Sequence, residues 1–460
     1  MATFSPFAVT SGSRCCSAVV SLLALLFSGC GNSDVTEALT EESDRHQASA
    51  ASLGGQTGEE FVNEFGDVVE RLEGTKERAP AQSPEQGAAP EGLSDFAWDF
   101  YRQAADRDTN FVYSPYSIST AAAMLFAGAA GETRQEIASA LRFMDEGERF
   151  HQQRSDLALF LDSRNRAGTD VVDQQVLRVS NDLWLAPSFS PRQSYLELLS
   201  LYYGAPVHRT NFAEDPERSR QAINRKVALD TQQLIEELLP AQSIPEDTAL
   251  LLTNALYFKA RWRSEFSPSL TAPATFNSLA GPTTVEMMQG IGVYGYAETE
   301  DYTAVSMDYS GSKLRMVAVQ PTPGTFGAFV EALNAAVVSA VLGAIQPQVL
   351  ELRFPKLEIS AKLALKEELK TAGMRLAFTK AADFSELSQT PVRVSDAFHQ
   401  ATLIVDEEGT EAAAATAIVS VPVNPIVLQA SVVFDHPFVF FLQDVATGAV
   451  LFVGHYVQGQ

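Results

Sequence analysis

The chain predicts an α+β fold, and three features of its patterning carry that expectation. Phe96, Phe100 and Ala104 recur at helical spacing, Leu250–Phe258 is an almost uninterrupted apolar run, and short apolar segments at 431–433, 438–442 and 450–453 close the sequence. The first marks one face of a helix, the second a strand buried on both faces, and the third a set of closing strands. Helical and strand periods alternate from Leu93 onward without the regular strand–helix repeat of a doubly wound sheet. In chain order, Ser94 is placed to cap the first helix. Ser114-Pro115 opens a helix of small residues running to Ala129, and Gly131-Glu132-Thr133 leads into another that ends near Leu141. Val176–Ala186 reads as a strand and Pro191–Tyr203 as a helix stopped by Gly204. Lys362–Gly373 reads as a helix ended by its glycine. No internal repeat is found.

A chain of 460 residues can bury a large core, and 57 acidic against 33 basic side chains give a net charge of −24. Such a surface argues against binding DNA, RNA or an anionic membrane through a basic patch. No run of basic residues offers heparin or another polyanion a site. Arg14 followed by the apolar run Ala18–Phe27 has the form of an export signal, too short for the ~20 residues that a membrane span needs. Residues 1–29 are therefore expected to be a signal peptide. Its end, Phe27-Ser28-Gly29-Cys30, resembles the bacterial lipobox, which implies a lipid on Cys30 and an outer-membrane or cell-surface location; plain secretion is the alternative. Gly31, rather than aspartate, favours the outer membrane. The three cysteines are Cys15, Cys16 and Cys30, so the processed chain would hold one acylated thiol and no disulfide, although export permits them. Residues 30–92 are rich in Glu, Gln, Ala, Ser and Gly and predict a disordered tether. A short helix around Glu59–Leu72 is compatible with the spacing of Phe61, Phe65 and Val68-Val69. Residues 93–460 are expected to be one folded domain.

The most informative stretch is 406–417, Asp-Glu-Glu-Gly-Thr-Glu-Ala-Ala-Ala-Ala-Thr-Ala. Gly409 opens onto small residues with no proline before Pro422. Thr410, Ala412, Ala414 and Thr416 alternate at the strand period and are small enough for a crowded interior. A proline there would remove a ladder hydrogen bond, and a large side chain would overpack the core. The segment reads either as an exposed loop built to become a strand or as an alanine-rich helical turn.

The surrounding residues separate these readings. Asn110-Phe111-Val112-Tyr113-Ser114-Pro115-Tyr116-Ser117-Ile118, Asn254 through Trp262, Phe354-Pro355-Lys356-Leu357, the hinge itself and Asp435-His436-Pro437-Phe438-Val439-Phe440 stand in the order and spacing of one family. Over roughly residues 91–460 the chain resembles a serpin. The resemblance implies three β-sheets, eight or nine helices and an exposed reactive-centre loop. It also implies a suicide inhibitor: a serine protease attacks the loop, an acyl-enzyme forms, and the freed hinge inserts into the central sheet, distorting the enzyme in a covalent 1:1 complex. Glu407, Glu408, Gly409, Thr410, Glu411, Ala412, Ala413, Ala414 and Ala415 match the inhibitory hinge. Ser114, Ser117, Asn254 and His399 match the polar gate beneath the central strands, and Trp262 the point where insertion begins. Lys226 stands where many relatives carry tryptophan, and Gln232-Gln233 replaces a turn that usually contains Gly-Lys; both concern the helix covering the sheet, and through it the speed of insertion.

Counting from Glu407 places the scissile bond at Val423–Asn424; counting back from Pro437 gives Ile426–Val427. The hinge count is preferred, because insertion length is measured from the hinge. Either bond offers a β-branched aliphatic after a proline, and no basic residue lies between Glu411 and Phe434. A small apolar pocket suits such a side chain, so an elastase-like or subtilisin-like target is expected rather than a trypsin-like one. Gly290-Ile291-Gly292-Val293-Tyr294-Gly295 satisfies a dinucleotide-binding pattern, but no helix opens at its glycines and it reads as strand or turn. The six histidines lack metal-ligand spacing and no nucleophile elbow is present. Neither catalysis, a cofactor nor a metal is expected, and the protein is expected to be a monomer. The runner-up is a serpin-fold binding or scaffold lipoprotein without inhibitory turnover.

Overall fold

Periodic patterning resolves into nine α-helices and sixteen strands among residues 64–81, 89–165, 175–410 and 428–459, which the computed structural model describes. β1 (Val69–Leu72) precedes α1 (Leu93–Ala104), β2 (Phe111–Tyr113), α2 (Pro115–Gly128), α3 (Gly131–Ala140) and α4 (Gly147–Asp162). Then come β3 (Val176–Leu185), α5 (Gln193–Tyr203), β4 (Val207–Thr210), α6 (Pro216–Asp230) and β5 (Leu250–Arg261). Four strands, β6 (Ala272–Ser278), β7 (Gly281–Glu298), β8 (Tyr302–Asp308) and β9 (Leu314–Pro321), lead to α7 (Phe326–Ala332) and α8 (Ala335–Ala344). The chain closes through β10 (Gln346–Pro355), β11 (Leu357–Ala364), α9 (Leu365–Thr371), β12 (Val394–Val405), β13 (Gly409–Thr410), β14 (Ala430–Val433), β15 (Phe438–Asp444) and β16 (Val450–Tyr456).

The strands form a seven-stranded sheet, ordered β1-β4-β3-β5-β13-β12-β11, and a nine-stranded one, β14-β10-β7-β8-β9-β15-β16-β2 with β6 on β7. The resemblance implies three sheets; here the second and third are continuous, because the long β7 pairs with β6 and β10 and then with β8. Gly290, Gly292 and Gly295 lie inside β7, opposite Leu352, Leu350 and Pro347, so the glycine pattern is strand. α2 is apolar nearly all round and buried accordingly. Its Ala121, Leu125 and Phe126 share a core with Leu252 and Phe441. A second core joins Leu256, Phe258 and Leu403 of the first sheet to Met316, Leu352 and Phe440 of the second.

Several local expectations change. The N-cap of α1 is Gly92 at φ 86°, with Ser94 inside the helix. Any side chain at 92 would be strained by that left-handed backbone and would strike the Arg142 carbonyl. The segment read as helix from Lys362 stays in β11 to Ala364, where pairing with β12 overrides helical propensity, and α9 starts at Leu365. The tether expected over 30–92 is corrected at 64–81 and 89–92, its remainder and the expected signal peptide lying outside the described residues. Val69–Leu72 pair antiparallel with β4, so no helix covers them, and Leu93 is preceded by ordered chain from Ala89. The composition misled because this strand draws its partners from a distant sheet edge rather than from a core of its own.

Candidate functional site

The first sheet has a gap built into its middle. β5 and β12 pair directly and in parallel from Leu250/Val394 to Leu256/Ala401. Above that level they diverge, and β13 sits between them, antiparallel to both: Thr410 lies opposite Ala260 on one side and Val405 on the other. The hinge has already begun to enter the sheet at Thr410.

Each hinge residue is fixed by a specific contact. Trp262 N–H donates to the Glu408 carbonyl at 2.8 Å, and its indole Nε1 donates to the Asp406 carbonyl at 3.0 Å. The Asp406 carboxylate accepts from the backbone of Glu408 and Gly409 at 2.9 and 3.0 Å, closing the turn that feeds β13. Gly409 is required by space: a Cβ would stand 2.1 Å from the Ala260 carbonyl oxygen. Thr410 is 1 % exposed, and its hydroxyl lies 2.8 Å from that of Tyr309. Tyr309 in turn stacks on Trp262, with ring centroids 4.4 Å apart. Glu407 meets Lys356 at 2.8 Å and accepts from Thr271 at 2.6 Å. Burial alone would raise its carboxyl, but these two partners hold it below the ordinary value. Glu408 faces Arg261 at 3.4 Å.

Below the hinge the four expected gate residues meet. Ser114 caps α2, accepting from Ser117 N–H at 3.1 Å, and its own N–H donates to His399 Nε2 at 3.0 Å. His399 Nδ1 therefore carries the proton and donates to Asn254 Oδ1. The Asn254 amide donates to Ser117 Oγ and to Asn181 Oδ1. His399 is fully buried, and burial pulls its pKa down to about 3, so the ring is neutral and donates from one nitrogen only. The network joins α2, β3, β5 and β12, so it spans the β5/β12 seam that an entering strand would open.

Sequence reasoning missed Asn181, Tyr309 and Thr271, and gave Asp406, the first residue of the informative stretch, no role of its own. Asn181 had a signal, a polar Ser-Asn-Asp run directly before the apolar Leu183-Trp184-Leu185 of the same strand. Tyr309 had none, since its place over Trp262 is set by the packing of two sheets. Glu411, Ala412, Ala413, Ala414 and Ala415, both scissile pairs (Val423–Asn424 and Ile426–Val427) and Cys30 lie outside the described residues. Among the described residues no group of three or more His, Cys, Asp or Glu side chains is placed to hold a metal ion.

Gly409 and Thr410 thus sit at the top of the β5/β12 seam, above a buried polar network that crosses it. Residues 91–459 match the serpin family, described as serine protease inhibitor. An uncharacterized serpin-like protein of Thermococcus kodakarensis is 32% identical over 366 residues, 79% of this chain and 84% of that protein. Alpha-1-antiproteinase of Rattus norvegicus is 32% identical over 386 residues, 81% and 90% respectively. Human thyroxine-binding globulin, solved in complex with its ligand, superimposes with a TM-score of 0.71 at 27% identity, over 80% of this chain and 97% of that one. The chain belongs to the serpin family.

Proposed function

We propose that this protein inhibits a serine protease as a suicide substrate, through insertion of its loop as a new strand between β5 and β12. The observation that carries the reading is β13, which holds Gly409 and Thr410 in the top of the seam in antiparallel register with both neighbours. Continuing that register exchanges one parallel pairing for two antiparallel ladders, and antiparallel pairing is slightly the stronger per residue. β5 and β12 are each twelve residues long. Twelve inserting residues, 410–421, span ~40 Å at 3.3 Å each, enough to carry an attached enzyme from one pole to the other. The absence of arginine and lysine from 412–433 favours an elastase-like or subtilisin-like target. An acylated Cys30 would place this activity at a cell surface, and replacing Cys30 by alanine would then release the protein from membranes.

Mixing with elastase is expected to give a denaturant-resistant 1:1 adduct and cleavage after Val423, read by gel and mass spectrometry. Only cleaved protein beside free, active enzyme would refute inhibition. The likeness to thyroxine-binding globulin keeps a binding role as the second reading. Heating separates the two: nicking the loop should raise the unfolding midpoint of an inhibitor by tens of degrees and leave that of a static binder unchanged.

A further inference from the structure

β3 is gripped on both faces at three consecutive residues. Asn181 joins the gate, and Ser180 and Asp182, on the opposite face of the strand, meet α6. Lys226 Nζ from α6 stands 2.5 Å from Asp230 and 3.7 Å from Asp182. Ser180 Oγ lies 2.8 Å from Asp182 Oδ2 and 2.7 Å from Asp230 Oδ2, and His208 Nε2 is 3.0 Å from the other Asp182 oxygen. Burial would raise Asp182, but Lys226, His208 and Ser180 hold it well below the usual carboxylate range. Burial would lower Lys226, and the two acids instead push it up to about 12, so Lys226 and Asp182 face each other as a charged pair.

What α6 carries gives this ion cluster its consequence. The chain after α6 turns through Gln232 and Gln233, both at positive φ, and runs back along the helix. Asn224 exchanges two hydrogen bonds with Leu239, and Arg220 donates to the Leu239 carbonyl, so the helix and residues 231–239 form one plate. Leu234 and Ile235 of that plate line a small cleft with Leu256, Phe258, Thr402 and Ile404, where β5 and β12 diverge. Continuing the Thr410/Ala260 register would bring residues 412 and 414 opposite Phe258 and Leu256, which share that cleft with Leu234 and Ile235.

We propose that Lys226 is a latch on strand insertion: it holds the plate on the sheet, and its release sets the rate at which the cut loop enters. The proposal rests on the insertion reading above. Removing Lys226 alone would strand two acids, so the informative variant is Lys226→Met with Asp230→Asn, which leaves Asp182 its His208 and Ser180 partners. The probe is a fluorescent synthetic peptide of residues 410–421, added to the intact full-length chain, with the rate of incorporation as the readout. The double variant should take up the peptide about tenfold faster than the unaltered chain, and Lys226→Arg, which keeps the charge, within about twofold of it. A purely structural role would lower the thermal midpoint and leave the rates equal. Equal rates overturn the latch while insertion stands; no incorporation in any form overturns both. If the double variant fails to fold, Asp230→Asn alone should accelerate uptake in the same direction, and an unchanged rate there refutes the latch.

Discussion

A charged side chain at position 410 would enter a site that is 1 % exposed and already holds the Tyr309–Thr410 hydrogen bond. Burying an unpaired charge there is strongly unfavourable, whereas threonine brings a small hydroxyl with a partner. Thr410→Arg should therefore block the first step of insertion. Against a protease that cuts the loop, the expected outcome is normal cleavage with about tenfold less covalent adduct, because deacylation outruns a stalled hinge. Adduct yield measured by titration of residual enzyme checks this, and an unaltered yield would show that 410 need not stay in the sheet. Gly409 is constrained more tightly, since even a methyl group would collide with the β5 backbone. Glu407 and Glu408 tolerate charge because Lys356 and Arg261 face them at the rim.

The N-terminal strand lies outside the residues that match the family, yet it grips the same sheet that holds β13. β1 covers the edge of β4, and its flanks reach α6: Glu64 meets Arg225 and Asp67 meets Arg218, each at 2.7 Å, while Glu70 pairs with Arg209. Farther on, Gly74 N–H donates to Ser200, and the Glu197 carboxylate receives Thr75 and Lys76 from the backbone. Exposed ion pairs contribute little singly, so the ladder to β4 and the backbone bonds carry most of the effect. Removing residues 1–81 should lower the unfolding midpoint by roughly 3–6 °C and leave β4 as a bare edge able to pair with another chain. Calorimetry with light scattering on the shortened protein measures both, and an unchanged midpoint would make the strand an ornament.

At the scale of the whole molecule, stability depends on three buried neutral histidines. Burial lowers His151 and His399 to about 3 and His455 to about 4, against 6.5 in the unfolded chain. A depressed folded pKa means the unfolded state takes up the proton first. The stabilisation is thus complete above pH 6.5 and is lost as pH falls toward 3–4, by up to ~1.4 kcal/mol per unit for each ring. Thermal midpoints at a fixed scan rate should fall steadily from pH 7 to pH 5, before most carboxylates titrate. A flat profile would mean that these rings remain solvated. Much of the architecture was legible in the chain itself: the apolar run of β5 and the small residues of α2 each state their role through local period and size. Reading Ser114, Ser117, Asn254 and His399 as a group required the resemblance, because four polar residues spread over nearly three hundred positions carry no local signature. Tertiary structure alone decided that β1 joins a sheet edge, that Tyr309 holds Thr410, and that Lys226 of α6 reaches Asp182 of β3. Those contacts link residues far apart in sequence. Periodicity reports which face of an element is buried, but a partner's identity is fixed only when separate elements pack.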